Sequence, residues 1–474
     1  MVIPEALRRR YEEYGQAHVL RYWDELDAEG RQRLIGELER VDLERIDRLV
    51  RELVRAEPVV PIDPAGIRPV PIHRLPRTDG ERAARRRAAR VGEAAVAQGE
   101  VAVVLVAGGQ GTRLGFDGPK GTYPIGPVSG ASLFQIHSEK IVALSRRYGR
   151  ALPFYVMTSP ENHAATAAFF EANGRFGLEH LRLFTQGQMP AVDRRTGRLL
   201  LAGKDHLALS PDGHGGTLDA LAAPGPEGQP SCLEEMRERG VRTVFYFQVD
   251  NPLVQIADPA FVGLHREAEA EVSFKVVEKV DPAERVGVVV ELEGRPTVIE
   301  YSDLPAELAE RREPDGSLAL AAGSIAIHLF ERSFIERIVG QAELPYHRAI
   351  KKMAYMDEEG RLVEPDEPNA VKFERFIFDT LPLAARSAIV ETDRRIEFEP
   401  LKNATGADSP ATVRQRMSDL FADWLESAGA RVLRRSDGSV PFGIEISPLY
   451  ALESSELKGR IPENTWIEQP LYLR

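Results

Sequence analysis

Residues 105–120 read Leu-Val-Ala-Gly-Gly-Gln-Gly-Thr-Arg-Leu-Gly-Phe-Asp-Gly-Pro-Lys, an apolar run that breaks into glycines and then meets two cations, Arg113 and Lys120. Glycines 108, 109 and 111 let backbone N–H groups approach a ligand with no Cβ in the way. Consecutive N–H groups in such a turn form a concave anion site. Two cations seven residues apart beside it suit a polyphosphate whose charge rises during reaction. Two commoner phosphate loops fail on spacing. A Walker loop needs G-x-x-x-x-G-K-[ST], and here Lys120 lies between Pro119 and Gly121. A dinucleotide fingerprint needs G-x-G-x-x-G, and from Gly109 the third glycine arrives one residue late. A plain β-turn with a surface Arg and Lys is the alternative reading of this stretch by itself.

A second chemical feature is Asp250, which ends the apolar run Thr-Val-Phe-Tyr-Phe-Gln-Val (243–249). Open α/β sheets bind ligands beyond the carboxyl ends of their strands, so a carboxylate there is well placed for a substrate or a metal. Before Asn251-Pro252 it also reads as a turn cap. His328 reads as structural. The chain has one cysteine, Cys232, so no intramolecular disulfide forms, and a reducing compartment is expected. There is no Cys/His cluster of the kind that holds zinc.

The elements that must position these residues are legible as alternation. Apolar, β-branched runs at 101–107, 153–157 and 243–249 read as buried strands, and 132–148 and 161–173 read as helices between them. Residues 271–300 read as strand–turn–strand, so antiparallel pieces join the sheet. Before this region lie N-terminal helices, a proline-rich linker at 58–76 and a helix at 80–99 whose arginines read as a solvated face. After it comes a capped helix within 404–429 and a strand-rich tail. The expected organisation is an N-terminal helical segment and linker (1–98), a catalytic α/β domain (99–400) and a small C-terminal domain (401–474). The expected fold is a Rossmann-like, mixed, mostly parallel sheet. A net charge of −12 argues against nucleic acid or an anionic membrane surface as partner. The start Met-Val-Ile-Pro-Glu-Ala-Leu-Arg-Arg-Arg has no apolar core of a secretory signal, and a cytoplasmic setting is expected.

The stretch A-G-G-Q-G-T-R-L-G-x-x-x-P-K resembles the signature loop of the eukaryotic-type UDP-sugar pyrophosphorylases, nearest to the UDP-N-acetylhexosamine pyrophosphorylases within them. Further blocks resemble that family in the same order: GQAHVLRYWDEL, TQGQMPA (185–191), SPDGHGG (210–216), FQVDNPLVQIADPAFVG (247–263), KVVEKVDPAERVGVV (275–289), VIEYSDL (298–304), VKFERFIFD (371–379), EFEPLKNA (397–404) and GIEISPL (443–449).

The resemblance implies a nucleotide-diphospho-sugar transferase fold. It also implies a uridylyltransferase that joins UTP to a sugar 1-phosphate and releases pyrophosphate with Mg²⁺. It places Arg113 and Lys120 on the triphosphate, with the backbone from Ala107 through Gly108, Gly109 and Gly111 cradling the nucleotide. Gln186 reads uracil, and Gly213 and His214 form the next nucleotide contact. Asp250 holds the metal; no second protein ligand is assigned, and Asp379 reads as structural. Gly287 and Glu300 meet the sugar hydroxyls, and Lys372 and Lys402 meet the sugar phosphate. Two positions depart from the acetylhexosamine pattern. His214 stands where those enzymes carry Asn, and Ser324 stands where an Asn meets the N-acetyl side. The expected product is UDP-N-acetylglucosamine. A UDP-glucose, UDP-galactose or broad-specificity enzyme is the alternative, and a non-catalytic nucleotide-sugar sensor is the remoter one.

Overall fold

The computed structural model describes residues 2–56, 64–341 and 343–474, so 58–63 of the expected linker lie outside the described residues. The chain forms two compact units, each drawn from three segments. The first takes Met1–Ile62, Gln186–Asp219 and Glu343–Asp379, and the second takes Asp63–Thr185, Ala220–Ala342 and Thr380–Arg474. The division at 98 and 400 follows chain order, whereas compactness follows where each apolar face finds a partner.

In the first unit, helices α1 (Glu5–Glu13), α2 (Ala28–Arg40) and α3 (Leu43–Leu49) form at the N-terminus. Asp27 and Asp42 cap α2 and α3 by accepting from Gly30 N and Arg45 N. Their buried stripes, including Leu34, Leu38, Ile46 and Leu49, pack on Met189, Val192, Leu199, Leu201, Val371 and Phe373. The latter residues come from much later in the chain and include a three-stranded sheet in the order Tyr346–Lys351, Ala370–Arg375, Val192–Asp193. His18 Nε2 bonds Leu199 O at 2.8 Å. The N-terminal helices therefore supply the core under the segments that carry Gln186, His214 and Lys372.

The second unit is built on a ten-stranded sheet. Its strands are β1 (Ile67–Pro69), β2 (Val101–Val106), β3 (Phe154–Thr158), β4 (Leu181–Thr185), β5 (Thr243–Gln248), β6 (Val272–Glu278), β7 (Val288–Leu292), β8 (Arg295–Ile299), β9 (Ala322–Glu331) and β10 (Ser387–Glu391). The path runs β1-β7-β9-β5-β2-β3-β4, with β8 on β7 and with β6 pairing β9 and β10. The block β5-β2-β3-β4 is parallel throughout, as is β6-β10, and β9 joins the two parts by antiparallel pairing. Val101 to Leu105 of β2 are 0% exposed. That burial on both faces is why an unbroken apolar run codes for a parallel strand. The second unit's helices include α4 (Asp79–Ala97), α5 (Leu133–Tyr148), α6 (His163–Ala172), α7 (Cys232–Glu238), α8 (Pro259–Glu267), α9 (Arg394–Glu397) and α10 (Pro410–Ser427), and each of these except α6 has a side-chain cap at its N-terminus. Capping boxes open α4, α7 and α10 at Thr78, Ser231 and Ser409. Phe421, Leu425, Ile444 and Ile446 share one core with β2 and β5, so the C-terminal stretch is part of this unit. Among the described residues no helix is long and apolar enough to cross a membrane.

Helices α4 and α8 touch backbone to backbone. A Cβ on Gly263 would lie 1.7 Å from Ala88 O, and one on Gly92 would lie 1.9 Å from Pro259 O. Gly263→Ala is therefore expected to force the helices apart and cost about 3 kcal/mol. Thermal unfolding checks this, and an unchanged melting temperature would contradict the packing.

Candidate active site

The glycine loop leaves β2 and is held from behind by Asn162. Its side chain is fully buried and donates to Ala107 O at 2.9 Å and Gly109 O at 3.3 Å. Because a trans peptide points its C=O and the following N–H in opposite directions, the N–H groups of Gly108 and Gln110 face away from Asn162. The loop closes on itself through Gly111 N to Gly118 O at 2.9 Å and Lys120 N to Gly109 O at 3.1 Å. Gly111 is required, since a Cβ there would sit 2.7 Å from the Phe116 ring. Arg113 is exposed on this loop, and among the described residues it has no carboxylate partner.

The loop brings Lys120 to Asp250, with Nζ 3.4 Å from Oδ2. Asp250 follows the end of β5, beside β2 in parallel register. Leu401 N donates to Asp250 O at 2.8 Å, so the residue before Lys402 is tied to the carboxylate's own backbone. Lys402 is half-buried and, among the described residues, its amine has no carboxylate partner. The structure thus joins Lys120, Asp250 and the Leu401 backbone, one residue before Lys402, within one unit. Asp379 is committed elsewhere, since His347 Nε2 bonds its Oδ2 at 2.8 Å. Among the described residues no three His, Cys, Asp or Glu side chains gather as a metal cage. Asp250 alone suits a metal that takes one carboxylate plus phosphate oxygens and water.

The three residues expected on the sugar side also meet. Ser324 N donates to Gly287 O at 2.8 Å, and a Cβ on Gly287 would lie 3.4 Å from Glu300 Oε1. Ser324 owes its place to a bulge in β9. Phe274 pairs His328, but Val276 pairs Ser324, which leaves three β9 residues opposite Lys275. Ala326 takes φ 55° within that bulge. His328 is packed between Tyr246 and Phe274, a structural position.

On the first unit, Gln186 is 8% exposed, and its Nε2 donates to Gly213 O at 2.6 Å and Asp212 Oδ1 at 3.3 Å. That commits the amide nitrogen and leaves Oε1 as an acceptor. Gly213 has φ 83°, and a Cβ there would sit 2.3 Å from Arg375 O. His214 Nδ1 accepts from Ile377 N at 3.1 Å, which fixes the proton on Nε2. The ring stacks on Phe376 at 5.4 Å. Burial, with His347 nearby, pushes its pKa down to about 4. Lys372, on the strand Ala370–Arg375, is half-buried with no carboxylate partner among the described residues.

Sequence reasoning missed the residues that hold these groups. Asn162 lies in an unremarkable Pro-Glu-Asn turn. Arg375 clamps the Asp212–Gly216 turn through Asp212 Oδ2 at 2.5 Å and through Asp219. Lys140 is half-buried on α5 and donates to Pro252 O at 2.6 Å and Val254 O at 2.8 Å, under the segment after Asp250. An Asn before a helix and a Lys inside an apolar helix were the only local signals. Cys232 is 1% exposed, and burial pushes its thiol up to about 12, so it is an inert core residue.

Two histidines set an acid limit, the fully buried His137 and the half-buried His214. His137 Nε2 bonds Val249 O at 3.1 Å, and burial, with Lys140 nearby, pushes its pKa down to about 3. Both His137 and His214 are neutral when folded but take a proton below about 6.5 when unfolded. The unfolded state then binds more protons, so stability is full above that pH and falls as pH drops toward 4. Melting temperature is expected to fall between pH 7 and pH 5, and a flat profile would contradict the neutral assignment.

A mostly parallel sheet, a glycine turn with outward N–H groups, and a lysine against a carboxylate at a strand end are parts that suit nucleotidyl transfer. The model of the UTP–glucose-1-phosphate uridylyltransferase family matches residues 62–422, and the chain belongs to that family, a nucleotidyltransferase. Its members generally use a divalent metal. UDP-N-acetylhexosamine pyrophosphorylase-like protein 1 of Homo sapiens is 39% identical, over 97% of this chain and 96% of that protein. UDP-N-acetylglucosamine pyrophosphorylase of Saccharomyces cerevisiae is 37% identical, over 96% of this chain and 97% of its own. The crystal structure of the uridine diphosphate N-acetylglucosamine pyrophosphorylase from Trypanosoma brucei has a TM-score of 0.83 at 28% identity, covering 100% of this chain and 98% of that one.

Proposed function

We propose that this chain joins UTP and N-acetylglucosamine 1-phosphate to give UDP-N-acetylglucosamine and pyrophosphate. A sugar-phosphate oxygen attacks the α-phosphorus in line. The observation that carries the reading is the meeting of Lys120, Asp250 and the backbone of Leu401, the residue before Lys402, beside a loop whose N–H groups face outward. The attacking oxygen is already anionic, so no general base is needed, and catalysis is positioning plus charge neutralisation. Arg113 and Lys120 meet the triphosphate, where charge builds on departing pyrophosphate. Lys402 and Lys372 meet the sugar phosphate, and Gly287, Glu300 and Ser324 meet the sugar. Asp250 would hold Mg²⁺, which supplies charge neutralisation at the α-phosphate. The single cysteine supports a reducing, cytoplasmic setting.

Gln186 Oε1 accepts from the uracil N3–H, and His214 Nε2–H donates to the nucleotide. His214→Asn keeps a donor and is expected to leave the KM for UTP within about 3-fold. His214→Ala is expected to raise it on the order of 10-fold, the scale for one lost hydrogen bond. Initial rates against UTP check this, with equal effects of the two variants as the contrary result.

A second reading, a UDP-glucose, UDP-galactose or broad-specificity enzyme, is favoured by Ser324, which is shorter than the amide the acetylhexosamine pattern carries there. Pyrophosphate release over a panel of sugar 1-phosphates separates the two. Absence of turnover with any acetylhexosamine phosphate would overturn the first.

A further inference from the structure

The deepest charge in the second unit lies under the reactive residues rather than among them. Lys275 of β6 is 0% exposed and its amine touches three carboxylate oxygens: Glu397 Oε1 at 2.8 Å, Glu397 Oε2 at 2.7 Å and Asp258 Oδ2 at 2.8 Å. Burial opposes its charge, but Asp258 and Glu397 outweigh burial and raise its pKa. Glu397, at the end of α9, is also 0% exposed and fully used. Its Oε1 accepts from Gln255 N at 3.1 Å, its Oε2 from Thr392 Oγ1 at 2.7 Å, and its backbone O from Asn251 Nδ2 at 2.7 Å.

These bonds stitch two chain segments together. One is 250–258, which begins with Asp250 and ends with Asp258, the cap of α8. The other is 397–402, which ends with Lys402. Asn251 Oδ1 accepts from Glu399 N at 3.3 Å, and Leu401 N reaches Asp250 O at 2.8 Å. The first segment is also strained, since the buried Ala257 takes φ 49°. A well-packed apolar pair fills such a space at least as stably as a buried ion pair. What an apolar pair does not supply is a fixed register between two segments, because only directed bonds define one.

We infer that Glu397, clamped by Lys275, is a positioning residue for the transfer: it sets Asp250 and Lys402 relative to one another. The inference rests on the roles proposed above for Asp250 and Lys402. Neither Glu397 nor Lys275 touches substrate; they act through the backbone they hold. Loss of a residue that orients a metal ligand from behind typically costs 10–100-fold in metal affinity or activity.

The test uses the full chain with Glu397→Gln, which keeps size and two polar atoms but removes the negative charge that faces Lys275. Thr392→Val is the milder variant, kept in case Glu397→Gln does not fold. Phe170→Leu in α6 is the control, a core truncation in a residue packed on Phe134 and Phe176. The measurements are melting temperature, kcat, KM for UTP and Mn²⁺ binding to the enzyme without substrates. Glu397→Gln is expected to lower kcat about 10- to 100-fold and weaken Mn²⁺ binding by a similar factor. The KM for UTP should stay within about 3-fold. Thr392→Val should shift both quantities in the same direction by about 3-fold. Phe170→Leu should lower the melting temperature without moving either. In an Asp250→Ala background Glu397→Gln should cost little more, because both act on one group. Near wild-type kcat and Mn²⁺ binding in the two joint variants would overturn the inference, as would an equal loss in the control. A wild-type enzyme that fails to release pyrophosphate would instead overturn the proposed function.

Discussion

Asp250→Ala is expected to lower kcat about 1000-fold at saturating substrates and Mg²⁺, the largest effect of any single change here. The reason is geometric as well as electrostatic. Asp250 stands just past the end of a strand buried on both faces, its backbone O is bonded by Leu401 N, and its side chain is only 14% exposed. Among the described residues no three His, Cys, Asp or Glu side chains gather to form a metal cage that could take over. The variant also leaves Lys120 without its carboxylate, so the melting temperature is measured beside the rate. Raising Mg²⁺ concentration should recover little activity, because the ligand itself is gone. A kcat within about 10-fold of wild type would remove Asp250 from the metal role and leave it as a turn cap.

Lys120→Ala should lower kcat about 100-fold or more with a folded protein, the scale for removing one preorganised charge donor. Lys120 is held by its own backbone bond to Gly109 O, and its side chain is 17% exposed, so little reorganisation precedes its contact with a developing charge. Arg113 is exposed on the same loop with no carboxylate partner among the described residues, so Arg113→Ala should cost less. Steady-state pyrophosphate release measures both. An equal or larger loss in Arg113→Ala would reverse the assignment.

The legible parts of this molecule were those with local causes. Strand β2 was visible because five consecutive buried residues need no alternation, and α10 because Ser409, Pro410 and Thr412 form its cap. The glycine loop was visible because each spacing that failed a commoner motif narrowed the remaining chemistry. The two-unit architecture was not visible. It depends on pairs such as Gln16 with Leu199 and Arg375 with Asp212, separated by 183 and 163 residues, and neither pair leaves a local pattern. The Lys275–Glu397 pair spans 122 residues in the same way. Ser324 was found as a departure from a family pattern, but the bulge at Ala326 that sets its place carries no glycine to announce it. Gln186 was assigned to uracil without knowing that Gly213 and Asp212 had already taken its amide nitrogen.

Transfer of a uridylyl group to a sugar phosphate is the role proposed for the glycine loop, Lys120 and Asp250. It is tested most directly by pyrophosphate release over a matrix of nucleoside triphosphates and sugar 1-phosphates in Mg²⁺. The expected result is turnover confined to UTP and highest with N-acetylglucosamine 1-phosphate, lost in Asp250→Ala. Tight UTP binding with no pyrophosphate released from any pair would contradict it.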